Sequence, residues 1–378
     1  MAHGLTLADL AKRIGYTPQH ISEVELAKSP ASEHFVAAVD RALDARGALL
    51  ALHPAAMMER SMERQKRSTA RREALRSVQE VDDVKRRAFI GLGLSVVLLG
   101  PEAAARASEA QWDQIAHAWS YEIATAPDRS ALLPGLAADL KRLHANGGPR
   151  HVVAQLSSYV AAIAVSNGDH GTARRWWRRA RSAATGDTHL IAYVTSREAV
   201  QGLYGAYSPA QVVTVANEAL RATSAPCAGR MEALGAKAQA LSMLGRQKAA
   251  SDVLAVLERT FESLPVDITR DKLSALGWPE ERLHHVRSYC AMYGSDGGEA
   301  ARTEALRLYS DALWRSRAQI RLHRAASEAD AGLALDVLGP LEDAQRSDRF
   351  VRTIARRALA SCESRNAAGT AELREALA

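Results

Sequence analysis

The sequence predicts an all-α fold: an N-terminal domain of short helices, a helical linker and a C-terminal α-solenoid. Three observations carry this. Hydrophobic residues make up 47% of the 378-residue chain but aromatics only 5%, with four Phe, so the core is largely Ala, Leu and Val. That composition suits close helix packing better than sheets, which favour aromatic and β-branched residues. No period-two alternation runs through the long C-terminal part. Glycine turns recur there at Gly168, Gly205, Gly245 and Gly294, spaced 37, 40 and 49 residues apart, near the period of helix-pair repeats. A chain of this length can build more than one core. The expected boundaries are 1–52, 53–104 and 105–378.

The first helix starts at "TLADLAKRIG". Thr6 is a suitable N-cap with Asp9 three residues on, and Leu5 and Leu10 are spaced as a hydrophobic staple. Leu7, Leu10, Ala11 and Ile14 share one face, and Gly15 ends the helix where positive φ is needed. A second helix restarts at once, capped by Thr17, with Pro18 in the first position and Tyr16 stapled to Ile21. Ile21 and Val24 are placed to pack onto Leu10 and Ile14, with the small Ala11 at the crossing. A polar face of Gln19, Ser22 and Glu23 then points outward. Such a rigid short helix, exposed at its front, is what entry into a DNA major groove requires.

These residues resemble a known family. Ala11, Gly15 and Ile21, followed by Pro18-Gln19-His20-Ile21-Ser22, look like the helix-turn-helix of Cro/C1 (XRE-type) repressors. With "ASEHFVAAVDRAL" as the next helix, residues 5–52 resemble the DNA-binding part of actinobacterial XRE-type regulators that carry a tetratricopeptide-like (TPR-like) C-terminal domain. The resemblance implies that Thr17, Pro18, Gln19 and Glu23 face base edges, Gln suiting adenine and Glu cytosine. Ser22 and His20 would reach bases or phosphates, and Lys28 or Lys12 the backbone. It also implies a helix ahead of the first one, for which only five residues stand before Thr6, so that helix is either encoded upstream or lacking. Ala27 replaces the glycine that usually ends the second helix, leaving the turn to Ser29-Pro30. The alternative for the polar face is an ordinary solvated surface.

Residues 1–50 carry five Lys/Arg against six Asp/Glu, although DNA affinity rests on phosphate neutralisation. Residues 54–87 read as one polar helix in which ten basic residues stand against six acids, and the compensating charge is expected from its basic part at 59–76, or from dimerisation. The stretch "KRRAFIGLGLSVVLLG" at 85–100 resembles a twin-arginine export signal. Its place deep in the chain and its short apolar run argue instead for a buried helix joining two domains.

In the solenoid zone, small-residue helices such as "QLSSYVAAIAVSNG" alternate with amphipathic ones such as "DHGTARRWWRRARSAA". In the latter, neighbouring Trp176 and Trp177 cannot both face one core, so one is core and the other a groove or interface residue. With Arg174, Arg175 and Arg178 they form a candidate partner-binding cluster for an acidic peptide or phosphate group. His284-His285 lack companions at metal-ligand spacing, and no phosphate loop, GxSxG or HExxH occurs, so no metal, cofactor or catalytic residue is expected. Cys227, Cys290 and Cys362 are odd in number and far apart, which fits a reduced cytoplasm. The net charge of +6 permits an anionic partner without demanding one. The resulting expectation is a sequence-specific transcriptional regulator, not an enzyme. It binds double-stranded DNA as a homodimer, keeps no membrane contact, and takes a peptide, protein or small-molecule signal on its repeats. The competing expectation is a repeat scaffold that no longer binds DNA.

Overall fold

The structure is a computed structural model describing residues 6–25, 31–56, 108–271 and 276–378. Leu5, Lys28, the Ser29-Pro30 turn, most of the basic helix and the export-like stretch lie outside the described residues, as does the side chain of Glu23. All regular elements among the described residues are helical. The chain divides into two compact units, Met1–Ala88 and Phe89–Ala378.

In the first unit, α1 (Leu7–Ile14), α2 (Pro18–Glu25) and α3 (Glu33–Ala42) are followed by a helical run over 48–56. The expected capping box is present. Asp9 N donates to Thr6 Oγ1 at 3.2 Å, and Thr6 N donates to Asp9 Oδ2 at 3.1 Å. The Thr6 hydroxyl, which also donates to Asp9 Oδ2 at 2.5 Å, and then the Thr6 N–H hold the Asp9 carboxyl below the usual carboxylate range. Gly15 closes α1 at φ 73°, with its N–H and that of Tyr16 both donating to Ala11 O. Ser32 caps α3 through Phe35 N at 3.1 Å.

Ala11, Ile21 and Phe35 form the buried centre, with Leu10, Ile14, Tyr16 and Val24 packed around it. Leu7 departs from the expected face: it is 42% exposed, because no described element covers the opening turn of α1. Asp40 is buried at the end of α3, where it accepts from Gly47 N at 2.7 Å and Leu49 N at 2.8 Å. One carboxylate thereby satisfies the open N–H groups at the start of the 48–56 run.

The second unit opens with α4 (Glu109–Thr125) and α5 (Leu133–Ala145). Helix pairs follow: α6 (Arg150–Ser166) with α7 (His170–Ala184), α8 (Thr188–Gln201) with α9 (Pro209–Ala222), and α10 (Ala228–Met243) with α11 (Gln247–Glu262). After the short α12 (Val266–Arg270) come α13 (Glu280–Ala291) with α14 (Gly298–Leu308) and α15 (Trp314–Glu328) with α16 (Ala331–Leu338). The short α17 (Asp343–Arg346), α18 (Arg349–Ser364) and α19 (Thr370–Ala376) complete the unit. The first helices of successive pairs stack on one another, giving the solenoid packing expected from the repeats. All four anticipated glycines sit at positive φ, Gly205 inside the short π-helical turn Gly202–Ala206 that links α8 to α9.

Small residues set the spacing of that inner layer. A Cβ on Gly229 would lie 2.4 Å from the backbone N of Tyr193, so only glycine lets α10 approach α8 this closely. α6 and α10 are buried on nearly every side, which explains their weak amphipathicity.

Inside the stack, His285 and His323 lie with ring centroids 5.2 Å apart. His285 Nδ1 is 3.3 Å from Tyr309 Oη, and His323 Nδ1 is 2.9 Å from Ser288 Oγ. Loss of water and the nearby Arg282 push His285 down to about 4, while Glu232 pulls weakly the other way. Burial, then His285, Arg357 and Arg302, drive His323 well below its ordinary value. The unfolded chain therefore binds the extra protons as pH falls through 6.5, and stability is lost between there and pH 4. His285 alone accounts for about 3 kcal/mol across that window. Urea unfolding at stepped pH checks this: His285→Phe should flatten the slope, and an unchanged slope would refute the assignment.

Candidate nucleic-acid interface

The front of α2 is exposed. Thr17 Oγ1 accepts from His20 N at 3.2 Å, which fixes the first turn. Thr17, Pro18 and Gln19 are exposed, Ser22 is half-buried and Ile21 is sealed in the core. Lys12 is exposed on α1. His20 is placed differently from the expectation that it reaches bases or phosphates. Its ring stacks on Tyr16 at 5.4 Å and meets Phe35 edge-on at 5.4 Å, so it packs against the core and steadies α2. Tyr16 in turn contacts Phe35 at 5.0 Å, and its hydroxyl lies 3.2 Å from His34 Nδ1. Aromatic packing and the Gly15 turn thus fix α2 on α1 and leave a short polar edge facing outward.

A family model described as a helix-turn-helix domain matches residues 1–52. The N-terminal unit carries a helix-turn-helix DNA-binding domain. The match covers a small part of the chain and ends ahead of the solenoid. No curated protein and no solved structure matches the chain. Within the helix-turn-helix domain, α1 and α2 are the two helices joined by Gly15, and α3 braces both through Phe35.

The cluster on α7 resolves the tryptophan alternative. Trp177 is 3% exposed and packs with Ala173, Ala180 and Tyr193, so it is core and no partner can reach it. Trp176, one residue and 100° earlier, is half-buried between two core clusters, with Arg179 stacked 5.3 Å above its ring. Arg174, Arg175 and Arg178 are exposed, and Arg175 donates to Thr172 Oγ1 at 2.7 Å.

His284 has closer company than its sequence spacing suggested. Glu280 lies one turn earlier, 3.7 Å from His284 Nε2, and Glu304 comes across from α14, so the three groups lie within 4.8 Å of one another. Glu280 was legible as an i,i+4 neighbour, but Glu304 is brought in only by folding. Glu304 is also held by two bonds from Arg307, at 2.9 and 2.7 Å. No helix among the described residues is long and apolar enough to cross a membrane.

Proposed function

We propose that this protein is a sequence-specific transcriptional regulator of the XRE type. Its helix-turn-helix domain, residues 1–52, reads double-stranded DNA, and a TPR-like domain, 105–378, dimerises and receives a signal. The observation that carries the reading is the coincidence of the family match with an exposed Thr17-Pro18-Gln19 edge on a helix locked from behind by Ile21, Tyr16 and Phe35. Gln19 and Glu23 read base edges, Thr17, Pro18 and Ser22 lie alongside, and Lys12 and Lys28 hold phosphates. Basic residues of the linker at 53–104 add phosphate neutralisation. In a two-fold homodimer the two α2 helices enter successive major grooves about 34 Å apart. The role is non-enzymatic and cytoplasmic, in keeping with three unpaired cysteines.

The scaffold reading draws on a different observation, the acidic balance of residues 1–50. One experiment separates the two. Binding of the full chain to DNA from its own upstream region is titrated with salt, beside the double variant Gln19→Ala, Glu23→Ala. Each lost base contact should cost about 1–3 kcal/mol of discrimination. The variant is therefore expected to keep weak, salt-sensitive binding while losing preference for its site. Weak binding without preference in the unaltered protein would favour the scaffold.

A further inference from the structure

The inner surface of the solenoid is not an open groove. Trp314 Nε1, on α15, donates to Thr125 O at 3.0 Å. Arg315 donates to Ala124 O at 3.1 Å and Ala126 O at 3.0 Å. These bonds bring α15 onto the C-terminal end of α4, 189 residues earlier in the chain. The helix pairs between them curl around a partly open cavity of about 230 Å³.

The cavity lining is polar and carries surplus positive charge. Arg129, Arg197, Arg282 and Arg315 all contribute. Glu232 takes both Arg197, at 3.1 Å, and Arg282, at 2.7 Å, while Arg315 pairs with Asp348 at 2.7 Å. Arg129 bonds to Ile123 O at 2.9 Å and Ser166 Oγ at 3.4 Å, and it lies 5.1 Å over the Phe350 ring. Among the described residues no carboxylate bonds to it, and Asp348, the acid that acts on it through space, is already paired with Arg315. Even with Glu281 and Asp348 counted beside Glu232, four guanidiniums face three acids. Loss of water and the nearby Arg315 pull Arg129 down to about 9, as expected for a cation short of negative charge.

Two further lining groups make no hydrogen bond among the described residues: Gln201 Oε1 and Trp278 Nε1. Their residues are 4% and 1% exposed. Leaving such groups unmatched is costly, and native interiors rarely do it. Together with Arg129 they offer two donors and one acceptor. The complement is a molecule rich in acceptors, one of them anionic, that also carries a donor. Tyr159, Tyr204 and Phe350 supply flat walls for its body.

We propose that this cavity binds a compact hydroxylated organic carboxylate, its anionic group seated on Arg129 and its polar groups met by Gln201 and Trp278. This names the signal class for the sensing role proposed above, and binding is measured without DNA, so failure of one reading leaves the other standing. The full chain is melted and titrated calorimetrically with 4-hydroxybenzoate, 4-hydroxybenzamide, 3-hydroxybutyrate and sulfate. Either carboxylate at about a hundred times its Kd should raise Tm by about 5 °C, and the uncharged amide should bind at least about tenfold more weakly than its acid. Arg129→Gln should weaken carboxylate binding by about tenfold or more while leaving the ligand-free Tm unchanged or raised, since a surplus buried charge is removed. A merely structural arginine would instead lower it. If that variant does not fold, Trp278→Phe, which removes the free indole donor, should still weaken binding severalfold. The proposal is overturned if neither carboxylate shifts Tm, if acid and amide bind alike, if sulfate binds as tightly as the carboxylates, or if the folded variants bind as the unaltered protein does.

Discussion

Asp348→Ala is expected to destabilise the C-terminal unit by about 3–5 kcal/mol, the usual cost of stripping one partner from a buried ion pair. Asp348 and Arg315 are 5% and 6% exposed at the side chain and meet at 2.7 Å. Asp348 also accepts from Phe350 N at 3.0 Å and Val351 N at 3.3 Å, so it caps α18 as well. Removing it leaves a buried guanidinium with only the carbonyls at the end of α4, and two open N–H groups besides. The same carboxylate therefore holds together the solenoid closure and the start of α18. A fall in Tm of about 10 °C is expected, read by circular dichroism. Asp348→Asn should cost less, because it keeps an acceptor for the cap. Lys248→Ala gives the contrast: its pair with Asp252 is 90% and 67% exposed, and such pairs contribute at most a few tenths of a kcal/mol. Equal melts for Asp348→Ala and Lys248→Ala would show that the closure is not held by this pair.

The local features of the fold were legible because each has a steric or hydrogen-bonding cause within a few residues. Gly15, Gly168, Gly205, Gly245 and Gly294 all sit at positive φ, where side chains are unfavourable. Thr6 and Asp9 form the box their spacing announces, and the 100° between adjacent helical positions separates Trp176 from Trp177. The closure was not legible. Nothing in the local pattern around Trp314-Arg315 points to Thr125 or Ala126, because that contact depends on the accumulated turn of every intervening helix pair. The cavity was missed for the same reason. Its polar residues come from helices spread along the chain, and each looks like an ordinary buried exception to its own helix. His20 shows a subtler limit: its position on α2 fits the outward face, yet an aromatic neighbour at Tyr16 and another at Phe35 draw the ring inward.

Phe35→Ala is expected to abolish DNA binding without touching any residue on the DNA-facing edge. Phe35 is 5% exposed and packs with Ala11 and Ile21 at the buried centre of the N-terminal helices. Its ring also holds Tyr16 and His20, the two groups that set α2 on α1. Truncating a buried Phe costs about 3–5 kcal/mol, a large fraction of what a small domain has to spare. Specific and salt-dependent binding should therefore be lost together, whereas Gln19→Ala with Glu23→Ala removes only the preference. Amide exchange should show the N-terminal helices unprotected while α6 and α10, whose cores share no residue with Phe35, keep their protection. Retained site preference in Phe35→Ala would mean that α2 does not read the bases, since a helix released from Tyr16 and Phe35 cannot hold a fixed edge in the groove. Lost binding with the N-terminal amides still protected would instead give Phe35 a direct part in the contact, which its burial argues against.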